Sequence, residues 1–197
     1  MIRPLCILVL LATASAVVPK YLAIGFSHIL PHGLDHILFI LGLFLLTREF
    51  GVLLFQMTLF TLAHSLTLGL SLYGFLSVPM QVVEVAIALS IAFIAIENLF
   101  CEKLSRWRPW MVFAFGLIHG LGFAHSFEET LVSSGDFLPA LFSFNLGIEL
   151  GQLAVIGIAY AAVGLWWKRD SYRASIARPA SAVIAASGIY WAVERSI

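Results

Sequence analysis

Six apolar stretches, each able to cross a bilayer, leave this chain no route to a water-soluble fold. They cover about residues 21–46, 52–72, 81–100, 110–126, 138–167 and 179–193, the fourth and sixth being short. A hydrocarbon core of roughly 30 Å needs about 20 apolar residues per helix. Lipid offers no hydrogen bonds to backbone N–H and C=O groups, so each stretch must satisfy its own as an α-helix. Composition closes the alternative: with 61% hydrophobic and 11% charged residues, the chain has too few ions to coat a surface facing water. The expected fold is all-α, a polytopic membrane bundle of six transmembrane helices forming one domain over residues 17–197.

Residues 1–16 form a signal-like segment: Arg3, an apolar run over 5–12, then Ala14-Ser15-Ala16, the small-x-small pattern of a cleavage site. A cleaved signal peptide and an uncleaved leader helix are both open readings, and each puts Val17 outside. Orientation follows from the bases. Arg48, then Lys103, Arg106 and Arg108, then Lys168, Arg169, Arg173 and Arg178 fall in alternate loops. Residues 73–80 carry no base, and 127–137 carry Glu128, Glu129 and Asp136. The positive-inside rule then places both mature termini outside a cell membrane crossed several times, and Trp107, Trp110, Trp166 and Trp167 mark its inner interface. The 11 bases balance 11 acids, so no nucleic acid partner is expected; the lipid bilayer is one partner. Gly25-Phe-Ser-His28 echoes Gly116-Leu-Ile-His119, and Phe60-Thr-Leu-Ala-His64 echoes Phe142-Ser-Phe-Asn145, which raises a 3+3 inverted repeat.

Ionisable side chains inside a span cost roughly 2.5–3.5 kcal/mol each, which makes them candidates for function. On helix one, His28, His32, Asp35 and His36 fall within an arc of about 100° at helical spacing. Pro31 qualifies that geometry, since it kinks or restarts the helix and sets His28 on a separate half whose broken backbone also lines the site. Imidazoles and a carboxylate suit nickel, cobalt or zinc, the alternative being hydrogen bonds to neighbouring helices. His64 stands in a hydroxyl-rich stripe of Thr58, Thr61, Ser65 and Thr67 that reads as helix packing, and is itself either ligand or structural donor. On helix three, Glu84 near the outer end is a supporting or proton-accepting group, whereas Glu97 pairs with a base at the inner interface. On helix four, Gly116 and Gly120 admit a close neighbour at His119, while His125 lies near the outer interface, either supporting the site or solvated. On helix five, Asn145, Glu149 and Gln152 share one face and Gly147 and Gly151 roughly the opposite one, so one face binds and the other packs. Under the topology above these groups share one depth, and convergence on an outward-facing site is expected. The ligand set is His28, His32, Asp35, His36, His64, His119 and Glu149, with Glu84, Asn145, Gln152 and His125 as supporting or proton-coupling groups.

The stretches His32-Gly33-Leu34-Asp35-His36, Phe60-Thr-Leu-Ala-His64-Ser65, His119-Gly120-Leu121-Gly122-Phe123 and Phe144-Asn145-Leu-Gly147-Ile-Glu149-Leu-Gly151-Gln152 resemble the HupE/UreJ family of bacterial membrane proteins over about residues 21–195. That resemblance implies an N-terminal signal, six helices in the bacterial inner membrane, and a nickel or cobalt permease of the kind that supplies hydrogenase and urease. It carries the family's metal motif onto His32, Asp35 and His36. The family's usual His-Pro order appears here as Leu30-Pro31-His32, a variant similar to a second branch of the family. The leading expectation is therefore a permease for a divalent transition-metal ion, nickel or cobalt, with zinc also accommodated and no enzymatic activity. The rival is a zinc-dependent intramembrane hydrolase using the same cluster, with Glu149 or Glu84 as general base.

Overall fold

Residues 30–33 decide how the first apolar stretch crosses the membrane. Pro31 has no N–H to donate, and the chain breaks there into two helices bent by 69°. The computed structural model describes residues 4–47, 49–128, 137–167 and 169–197, with the side chains of 4–16 and 124–128 outside it. Among the described residues there are seven α-helices: α1 Pro4–Ile29, α2 Leu34–Leu46, α3 Phe50–Leu72, α4 Met80–Phe100, α5 Arg108–Glu128, α6 Phe137–Trp167 and α7 Arg178–Glu194. The expected single helix one is thus corrected to the pair α1 and α2, and the arc of about 100° expected for its four polar residues does not exist on one helix.

Four segments are long and apolar enough to cross a membrane: Phe50–Leu72, Met80–Phe100, Phe137–Trp167 and Arg173–Glu194. The bent pair Val17–Ile29 and Leu34–Leu46 brings the number to five when the pair is counted as one span. The last span is longer than the expected 179–193 because Arg173–Ala177 winds as a π-helix leading into α7, with the Arg178 N–H donating to the Arg173 carbonyl. Pro179 then sits in the first turn of α7, where a missing N–H costs nothing. The signal-peptide reading falls on residues 1–16, which lie outside the described residues or outside their described side chains.

Three helix pairs carry most of the packing: α1 on α6, α3 on α5 and α4 on α7. Each pair closes over small residues, as contacts between helices in lipid require. Gly25 lies against the Phe144 carbonyl and Gly147 against the Leu22 carbonyl, joining α1 to α6. On the other side Gly116 faces Phe60 and Ala63, and Gly120 faces the His64 carbonyl and Thr67, joining α3 to α5. A side chain on Gly120 would overlap backbone, which explains glycine there. The short α2 touches α3, α4, α6 and α7, and buries His36, Phe39, Ile40, Leu43 and Phe44 around its circumference. It is the central rod of the bundle. The basic loops gather at its Leu45 end, beside Glu102, Lys103 and Arg173, and Asp35 and Arg195 mark the opposite end.

Candidate functional site

The break between α1 and α2 places His28 at the end of one helix and His36 in the first turn of the next, where they meet His64 from α3 and His119 from α5. Ring centres lie 4.6 Å apart for His28 and His36, 6.0 Å for His28 and His64, 5.6 Å for His36 and His64, and 4.9 Å for His36 and His119. Imidazoles bound through nitrogen to one ion at about 2.1 Å place their ring centres roughly 4.5–5.5 Å apart. Four elements therefore gather four rings, with His28–His36 and His36–His119 at the spacing that a shared ion produces and His64 slightly farther out. Among the described residues no three such groups are already closed on one point, so binding requires the rings to turn.

The chamber wall is aromatic. Phe123 packs 3.9 Å from the His28 ring, Phe60 lies 5.0 Å and Phe39 5.3 Å from His119, and Phe144 stacks on Phe123. Such a wall offers the imidazoles no hydrogen-bond acceptors, and five buried ring nitrogens lack a partner: Nε2 of His28 and His36, both nitrogens of His64, and Nδ1 of His119. Buried polar groups left unpaired are costly, so a cluster of five makes this chamber the candidate ligand site. Nitrogen donors in an apolar cage fit borderline transition metals such as nickel, cobalt and zinc.

Ser90 fixes one of these donors. Its hydroxyl donates to the Ile87 carbonyl at 2.7 Å, so its oxygen accepts from His119 Nε2–H at 3.0 Å. With Nε2 carrying the proton, the neutral ring presents a lone pair at Nδ1, the nitrogen that lacks a partner. Nothing in the α4 sequence singled Ser90 out, because a lone serine in an apolar helix reads as filler.

The chamber opens into a cavity of about 460 Å³ whose lining includes His28, His36 and His119, with His32, Asp35, Glu84 and Arg195. His32 is exposed and donates from Nδ1 to the Ser27 carbonyl at 3.1 Å, outside the four-ring cluster. The Asp35 carboxylate is held by Arg195, whose Nη2 donates to both oxygens at 3.0 and 3.2 Å. Arg195 was not anticipated; a base beyond the last span on the face expected to lack them was the available signal.

Helix five of the sequence reading separates from this chamber. Glu149 accepts from Thr58 Oγ1 at 2.7 Å, and with Asn145, Thr61 and Ser65 it lines a different groove between α3 and α6. Gln152 accepts from Thr61 at 3.2 Å, and Asn145 donates to the Leu141 carbonyl at 2.8 Å. The face carrying these three groups therefore packs on α3, and the structure does not bring Glu149 to the imidazoles. The His125 side chain lies outside the described residues.

At the basic end, Arg108 is 1% exposed, and its guanidinium donates to Glu97 at 2.6 Å, to Gln56 at 3.1 Å, and to Asn98 and the Gly42 carbonyl at 3.4 Å each. Glu97 thus has the basic partner expected of it. Beyond this network a second cavity, of about 330 Å³, opens among Leu45, Glu49, Glu102, Lys103 and Arg173.

The chain matches a family model described as HupE / UreJ protein over residues 7–195. No curated protein and no solved structure matches it.

Proposed function

The chain belongs to the HupE/UreJ family, associated with nickel and cobalt transport, and from that premise we propose that it is a permease moving a divalent nickel or cobalt ion through the four-histidine chamber. The observation that carries this reading is the set of five unpartnered nitrogens on His28, His36, His64 and His119. The ion, as substrate, enters the cavity beside Asp35 and Glu84 and exchanges water for imidazole. Zinc fits the same donors. Affinity has to stay moderate, because a closed cage of four nitrogens would behave as a structural site and retain its ion.

The route is supported by the two cavities at opposite ends of α2. Residues Asp35 and His36 face the first, Leu45 and Leu46 the second, and the Gly42 carbonyl between them is bound by Arg108 and Asn98. In this reading the histidine cavity faces outside and the basic end faces the cytoplasm of a bacterial inner membrane, with six spans counting α1 and α2 as one and both mature termini outside.

An inverted repeat of three spans underlies the proposed movement. Exchanging α1 with α5 and α3 with α6 carries the α1–α6 contact onto the α5–α3 contact, and α4–α7 onto itself. The pairs correspond in detail: Gly25 on Phe144 matches Gly116 on Phe60, Gly147 at Gly25 matches Ala63 at Gly116, and Gly151 on Ile29 matches Thr67 on Gly120. His28 and His119 then hold equivalent places, each three residues after its packing glycine. Halves related in this way rock about a central site to expose it alternately. The hydrolytic alternative loses support from Glu149, which Thr58 holds in the groove between α3 and α6.

Uptake of nickel, cobalt and zinc into proteoliposomes tests the proposal. The native protein is expected to accumulate nickel or cobalt, and His36→Ala and Asp35→Asn to lose uptake. Stoichiometric binding with no movement of any of the three ions would reject it.

A further inference from the structure

The cavity that a cation would enter already contains one, Arg195, and it occupies the carboxylate that the metal motif supplies. Both Asp35 oxygens accept from its Nη2, and its Nη1 donates to the Glu84 carbonyl at 3.3 Å. Its guanidinium also lies 5.3 Å from the Trp191 ring centre. The pair is neither buried nor free, with side chains 21% and 27% exposed in the wall of the 460 Å³ cavity. A pair about a quarter exposed, in the wall of an open cavity, is partly screened by water and can be exchanged at less cost than a buried one.

Resting on the permease reading, we propose that Arg195 is a tethered counterion that sets specificity: a divalent metal ion enters by displacing the guanidinium from Asp35, and monovalent cations do not. Charge decides the exchange. A sodium or potassium ion that replaced Arg195 would bring the same single charge that it expelled, and would gain nothing from imidazole nitrogens. A nickel or cobalt ion brings twice the charge and donors that match it. Glu84 also lines the cavity, and its backbone carbonyl already accepts from Arg195, so a second acidic residue stands beside the displaced guanidinium. Arg195 returning to Asp35 then opposes rebinding, which keeps affinity moderate enough for release.

The test is calorimetric titration of the full-length protein in detergent with nickel chloride, at fixed ionic strength, with sodium chloride as competitor. Native protein, Arg195→Gln and Arg195→Lys are compared. Removing a unit positive charge several ångströms from a divalent ion across a solvated cavity is expected to tighten nickel binding about tenfold in Arg195→Gln. Sodium is then expected to compete in that variant and not in native protein, while Arg195→Lys stays within about threefold of native. Nickel binding that is unchanged or weaker in Arg195→Gln, with native protein still binding, overturns the exchange and leaves the permease reading standing. Absence of nickel binding by the native protein overturns both. A second readout needs no loss of charge: in ¹⁵N-arginine-labelled native protein, saturating zinc should shift the guanidinium resonance that is missing from the Arg195→Lys spectrum. An unmoved resonance overturns the exchange whether or not Arg195→Gln folds.

Discussion

Two arginine–carboxylate pairs flank the histidine chamber, and their surroundings give them opposite tasks. Arg195 and Asp35 meet in the wall of an open cavity, where the Glu84 carbonyl is the one additional acceptor for the guanidinium among the described residues. Arg108 and Glu97 meet at 2.6 Å inside the bundle, where Gln56, Asn98 and the Gly42 carbonyl take up further guanidinium donors. The same charges make a replaceable contact where water reaches them and a fixed one where it does not. Burial decides, because an exposed pair is screened and nearly neutral in energy, whereas breaking a buried one strands a charge.

The largest expected effect breaks the inner pair. Arg108→Ala leaves Glu97, Gln56 and Asn98 without their shared donor and should cost roughly 3–5 kcal/mol, read as a large fall in the unfolding temperature in detergent. A loss as small as that of an exposed pair would erase the contrast. Next comes the chamber between them. Ser90→Ala removes the acceptor that fixes the His119 proton on Nε2 and should weaken nickel binding about 10- to 100-fold, as loss of an outer-sphere partner does, while the stranded N–H costs about 1–3 kcal/mol of stability. Smaller still, Asp35→Asn should lower stability by no more than about 1 kcal/mol while reducing uptake, the reverse of the Arg108 pattern. The smallest effect belongs to Glu149→Gln, which should leave nickel affinity unchanged; a tenfold loss would place Glu149 at the metal after all.

These contrasts also mark what could be read from the residues alone. Four of the expected spans, the break at Pro31 and the packing roles of Gly116, Gly120 and Gly147 follow from hydropathy, proline chemistry and small-residue spacing, each a property local to one helix. The face of Asn145, Glu149 and Gln152 was legible in the same way, but a helical face states a direction and not which neighbour lies there. Its neighbour is α3, so those groups meet Thr58 and Thr61 and not the imidazoles. The arc of His28, His32, Asp35 and His36 failed for a related reason. The bend turns α2 away from α1, leaving His32 exposed while His36 swings in beside His28. Ser90, Arg108 and Arg195 act through partners on other helices, so their roles become visible only when the bundle is assembled.

The central claim is that the imidazoles of His28, His36, His64 and His119 hold the transported ion. X-ray absorption at the nickel edge, on purified protein loaded with one equivalent of nickel, tests it most directly. Multiple scattering from three or four imidazoles, reduced by one ring in His36→Ala, is the predicted result. A shell of oxygen donors that His36→Ala leaves unchanged would contradict it.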